Sequence, residues 1–173
     1  MHDAVASPES TPTRGAAARG TWLVVGLIVI GACLAVFAAW FQWRQTRRCL
    51  EWYGPETARR ILEAPRVELW ALDPADAAAA PRERLDVSKA AGLVHLRRGL
   101  VEDANFDWSS RPSGPWSDAL AFFDAADATT PAAILLLDTT APGGIATTTS
   151  AGIGLGRMRP GLAKWLVATR QDR

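Results

Sequence analysis

The chain has 173 residues, a formal net charge of +1 and two cysteines. A near-neutral balance gives no basis for binding nucleic acid, and two cysteines exclude both a disulfide framework and a four-cysteine metal site. Setting aside an N-terminal tail and an apolar run, about 130 residues remain, enough for one domain with a real core and no staples. The charge is unevenly spread. Residues 44–60 carry Arg44, Arg47, Arg48, Arg59 and Arg60 against Glu51 and Glu56, a net +3, whereas everything after residue 60 sums to −2.

Residues 1–20 are rich in Ser, Thr, Pro and Ala without apolar periodicity and predict a disordered tail. Asp3 and Glu9 balance Arg14 and Arg19 there, and His2 stands alone. From Trp22 to Phe41 the chain has no charge, no Pro, no Asn and no Gln. A helix of that length covers about 30 Å, the hydrocarbon thickness of a bilayer. The run predicts a transmembrane helix over residues 21–43, with Trp22 at one end and Trp40 and Trp43 at the other as an aromatic belt. It is too long for the apolar core of a cleaved signal peptide. Ile30-Gly31-Ala32-Cys33 resembles a lipobox, but eight more apolar residues follow Cys33 where a polar tether would be needed. Two arginines precede the run closely and five follow, so the positive-inside rule favours a cytoplasmic domain, at the inner membrane if the source is bacterial. Gly31, Ala35 and Ala39 form a small-xxx-small stripe through which two such helices could pair as a homodimer. Cys33 and Cys49 lie about 24 Å apart along a continuous helix, beyond the reach of a disulfide.

Residues 44–65 read as a juxtamembrane helical segment, broken at Gly54-Pro55 and closed by Pro65. The soluble domain is then 66–173. Arg66 to Leu72 has the residue types of a strand, and Asp73 to Arg84 those of a surface loop. Asp86 to Asp103 predicts the main helix, with Ser88 as N-cap. Its apolar face would hold Ala90, Leu93, Val94, Leu96, Leu100 and Val101, opposite His95, Arg98 and Glu102. Arg97, at the apolar edge, must snorkel or meet an acid. Trp116 to Asp124 fits either a capped helix or an alternating strand. Ala132 to Leu137 and Ile145 to Ser150 predict strands separated by a Pro142-Gly143-Gly144 turn, and the short connections require antiparallel pairing. Pro160 opens a last helix with Leu162, Trp165 and Leu166 on one side.

The order Val67-Glu68-Leu69-Trp70-Ala71-Leu72, a polar loop, Asp86-Val87-Ser88, an amphipathic helix and then Asp103-x-x-Phe106-x-Trp108 resembles a group of small bacterial proteins, planctomycete ones among them. In that group a hydrophobic or lipoprotein-like N-terminus precedes an α+β domain of unknown activity. The resemblance spans roughly residues 61–170 and implies the strand form for Trp116 to Asp124. Relatives often carry a Cys-x-x-Cys-like pair in the later strands, where this chain has Leu136-Leu137-Asp138-Thr139-Thr140, so no thiol or metal role is implied. No catalytic residue transfers.

Candidate chemistry is sparse. Asp138, at the end of an apolar strand, has the setting of an aspartyl nucleophile, but only 35 residues follow it, too few for the doubly wound fold that chemistry needs. Gly152, Gly154 and Gly156 before Arg157, Arg159 and a helix suggest an anion cradle, yet they match neither the dinucleotide nor the P-loop pattern. His95, Arg98 and Glu102 share a helix face without a nucleophile or metal partner at matching spacing. These features predict an α+β fold: one transmembrane helix, then an antiparallel sheet of about four strands packed by two or three helices. The function they favour is a membrane-anchored, non-enzymatic module that binds a protein or small ligand, with no cofactor or metal. The alternative is a small tethered hydrolase or transferase using Asp138 or His95.

Overall fold

A computed structural model describes residues 14–76 and 79–171. The chain divides between Trp43 and Arg44 into two units. The first is the N-terminal part of helix α1 (Arg14–Tyr53). Its large apolar side chains lie in the open, with Leu23 71 %, Leu27 70 % and Val36 70 % exposed. This is one helix long and apolar enough to cross a membrane, with mean hydropathy 2.7 and none of its most apolar window buried. Helix begins at Arg14, so residues 14–20 are not the irregular tail that their composition predicts. The rest of that tail, residues 1–13, lies outside the described residues.

The second unit starts inside the same helix. Past Trp43, α1 changes character, and Cys49 and Tyr53 enter the core of the α+β domain. Gly54 then adopts φ 78, a left-handed conformation that ends α1, and Pro55 supplies the first residue of α2 (Pro55–Glu63). Arg97 closes the far end of α2 by donating to the carbonyls of Leu62 (3.0 Å) and Ala64 (2.7 Å). It meets orphan backbone acceptors, where the sequence suggests water or an acid.

Seven strands follow: β1 (Arg66–Ala71), β2 (Glu83–Asp86), β3 (Phe106–Asp107), β4 (Asp118–Phe123), β5 (Ala133–Asp138), β6 (Gly144–Thr147) and β7 (Ile153–Leu155). They form one sheet in the order β2-β1-β4-β5-β6-β7-β3, with every neighbouring pair antiparallel. The predicted α+β class and antiparallel pairing hold. The predicted count of about four strands does not, because β2, β3 and β7 have two to four residues each, too few for an alternating pattern to declare itself.

β4 lies inside the sheet between β1 and β5, and all six of its residues are buried. Of the two forms open to Trp116–Asp124 the strand is the one found, over Asp118–Phe123. Its even-numbered residues Leu120 and Phe122 join Val67, Leu69, Leu135, Leu137, Ile145 and Ile153 in the main core. Against them pack the end of α1, α2, α3 (Leu93–Gly99) and α4 (Arg159–Gln171). Asp118, the one buried charged group among the described residues, pairs with Arg170 of α4 and accepts a hydrogen bond from the Ser117 hydroxyl at 2.8 Å. The opposite sheet face carries a smaller cluster of Trp70, Leu72, Trp116, Ala119, Ala121, Phe123 and Ala146. Register places Arg84, Trp70, Ala119, Leu136 and Ala146 in one row across five strands. The Arg84 guanidinium stacks over Trp70 at 4.8 Å, and that of Arg66 over Phe123 at 3.9 Å.

The long helix expected over Asp86–Asp103 is only α3. Asp86 belongs to β2, and Ser88 caps no helix: its hydroxyl accepts the Val67 N–H at 2.9 Å and donates to Asp86 Oδ1 at 2.6 Å. Gly92, at φ 81, sets the start of α3 by its backbone conformation instead. Leu93, Leu96, Leu100 and Val101 are buried as their periodicity predicts, but Val94 is 62 % exposed. The separation of 44–65 from a domain beginning at residue 66 also fails, since Cys49, Tyr53, Ala58 and Ile61 are all core residues.

Candidate functional site

Arg44, Arg47 and Arg48 stand at i, i+3 and i+4, the spacing that puts three side chains on one helix face. They and Glu51 form one wall of a cavity of about 590 Å³, whose other wall is Asp103, Ala104 and Trp108. Glu51 accepts from Arg47 Nε at 2.7 Å, an exposed i, i+4 ion pair. The second wall comes from a 3-10 turn, Asp103–Asn105, and the residue after β3. Trp108 is held edge-on against Phe106, with ring centroids 5.8 Å apart, and its indole N–H donates to the Asp103 carbonyl at 2.9 Å.

Asp103 joins the walls. Its carboxylate accepts the backbone N–H of Arg48 at 3.0 Å and of Cys49 at 2.8 Å. In a regular helix those amides serve carbonyls four residues back, so an acid from 54 residues away competes for them as an N-cap side chain would. The lining sets three guanidinium groups against the two carboxylates of Glu51 and Asp103, so a positive charge is left over. Beneath it, burial, and then the Asp103 carboxylate, push the Cys49 thiol far above its ordinary pKa. That keeps it a neutral apolar filler and removes it as a nucleophile.

A second cavity, of about 450 Å³, lies on the helix-free sheet face between Trp70, Leu72, Ala79 and Pro81 on one side and Ile134, Leu136 and Thr148 on the other, over Ala119. It is mostly apolar. The edge beside it is the short, charged β2, which discourages pairing with a further strand.

The residues singled out by sequence are scattered. Asp138 accepts from the Thr140 amide (2.9 Å) and hydroxyl (2.7 Å), an Asx turn at the end of β5. Glu102 accepts from Asn105 Nδ2 at 3.2 Å. His95 is exposed on α3 and lines a separate hollow of about 260 Å³ with Gly92, Leu96, Gly99, Met158, Gly161, Leu162 and Trp165. Acid–base chemistry by these three would need one shared pocket, and each has its own setting. Among the described residues no group of three or more His, Cys, Asp or Glu is placed to hold a metal.

The glycines expected to cradle an anion are packing glycines. Gly154 sits in β7 between Gly144 of β6 and Asp107 of β3. A Cβ at Gly152 would lie 2.2 Å from the Pro112 carbonyl oxygen, and one at Gly156 3.0 Å from the Phe106 carbonyl carbon. The chain 105–112 fills the space an anion would need. Arg157 is exposed beyond it, and the Arg159 stem runs beside Gly143, where an added Cβ would come within 2.8 Å of Arg159 Cδ. Gly31, Ala35 and Ala39 are exposed on α1, with open space where a Cβ at Gly31 would point.

The basic cavity itself was half visible in the sequence. The concentration of arginines after residue 43 is plain; the wall it faces is not, because Asp103 and Trp108 are remote in the chain. No family model matches the chain, and no curated protein or solved structure matches it either.

Proposed function

We propose that this is a single-pass membrane protein whose α+β domain is a non-enzymatic binding module held at the bilayer surface, with the basic cavity as its binding site. The observation that carries the reading is the exposed apolar surface of α1 from Trp22 to Trp43. Leaving the eleven Leu, Ile, Val and Phe side chains of this stretch in water costs on the order of 20 kcal/mol, more than the entire stability of an ordinary domain. A hydrocarbon environment removes that cost, and Trp22, Trp40 and Trp43 stand where interfacial anchors belong. Arg44, Arg47, Arg48, Arg59 and Arg60 support placing the domain on the cytoplasmic side.

Extraction of membranes with alkaline carbonate tests the anchor: the chain stays in the pellet, and release to the supernatant refutes it. Cys33→Ser should leave that retention intact, whereas loss of retention would restore the lipid-modified alternative. Reporter fusions at residue 173 assign the side, and a signal from the far compartment would reverse the orientation proposed here.

A further inference from the structure

We propose that the cavity formed by Arg44, Arg47, Arg48 and Trp108 takes the phosphate-bearing headgroup of an anionic phospholipid, so that the domain reads the charge of the bilayer that holds it. This rests on the membrane-anchored reading above. Arg44 is the next residue after Trp43, the last aromatic of the belt, so the first groups of the domain meet the headgroup layer. Three guanidinium groups on one helix face present planar forks suited to phosphate oxygens. The opposing wall supplies the Trp108 ring, whose N–H is taken by the Asp103 carbonyl, so that it offers an apolar face. The cavity's volume, about 590 Å³, is in the range of sites that hold small ligands.

Arg44, Arg47 and Arg48 line the cavity opposite a wall that Asp103 ties to the same helix turn through the Arg48 and Cys49 amides. Both walls of the site are thus fixed relative to each other before any ligand arrives, which lowers the cost of binding.

The test uses the full chain in lipid nanodiscs, with thermal unfolding followed by circular dichroism. Discs containing phosphatidylglycerol should raise the midpoint by about 5 °C over pure phosphatidylcholine discs. The double variant Arg44→Lys with Arg48→Lys keeps the charge but loses the forks, and should abolish most of that rise while melting normally in phosphatidylcholine. Equal midpoints of the unaltered chain in both lipids overturn the proposal. So does a full rise in the lysine variant, which would mean diffuse attraction to the surface. A rise given by inorganic phosphate in phosphatidylcholine discs, and lost in the lysine variant, overturns the lipid source in favour of a soluble phosphoanion. Failure of the chain to enter discs at all would instead remove the anchor on which the proposal stands.

Discussion

Gly152→Ala should destabilise the domain severely, and Gly161→Ala should not. At Gly152 the new methyl would sit 2.2 Å from the Pro112 carbonyl oxygen and 3.1 Å from the Trp116 ring. An ordinary carbon–oxygen contact needs about 1 Å more than the first of these. The obstructing atom is backbone, so no rotamer change relieves it, and the 105–112 segment must lift off the sheet edge. Overpacking of this kind costs about 3 kcal/mol, which for a domain of this size lowers the melting midpoint by roughly 10 °C. At Gly161, near the start of α4, nothing lies within 4 Å of the added methyl. There alanine gains helix propensity, and stability should rise by up to about 0.5 kcal/mol. Thermal unfolding of both variants in the same detergent decides it. If Gly152→Ala melts within about 2 °C of the parent, the close approach of Pro112 is wrong, and the glycine series again becomes available for a ligand.

Asp103→Ala removes the acceptor for the Arg48 and Cys49 amides and should cost about 2 kcal/mol by denaturant unfolding, with Asp103→Asn recovering part of it; no loss would show that those amides are fully served within α1. In a Cys33→Ser background, Cys49 should resist iodoacetamide in the folded chain and react once denaturant is added, since it is wholly buried with its pKa pushed up by desolvation; rapid native labelling would contradict that burial. Leu93→Asp should unfold the domain, whereas His95→Ala, at an exposed position of α3, should leave the midpoint within about 2 °C. A fragment of residues 66–173 should fail to fold while 44–173 folds, because the shorter piece loses Cys49, Tyr53, Ala58 and Ile61 from the core, on the order of 6 kcal/mol of burial against a total stability of about 5–15 kcal/mol. Cooperative unfolding of the shorter fragment would refute it.

Legibility in the sequence followed the length of the element. α1 and α2 with their Gly54-Pro55 break, β1, β5 and α4 each have either a long apolar run or Pro and Gly punctuation, and all were readable from residues alone. β7 reads Ile-Gly-Leu, and its glycines look like a flexible connection until the 105–112 segment is known to lie against them. Asp86-Val87-Ser88 looks like the opening of a helix because an acid and a serine before an apolar periodic stretch are the usual cap signal. Here the same two side chains bond to each other and to the neighbouring strand. The candidate site divides in the same way: its arginines are local and visible, and its second wall depends on a contact between residues 48 and 103 that no local pattern encodes.

That contact bears on what holds the arginines of the cavity. Arg44, Arg47 and Arg48 lie on the part of α1 that leads into Cys49 and Tyr53, which are core residues. They therefore belong to a folded wall. Asp103 adds a tie at the turn where they project, by a bond to backbone that survives any change in the arginine side chains. The charge-conserving lysine variant is informative for that reason: it alters what the wall presents to an anion while leaving intact the amide contacts that hold the wall in place.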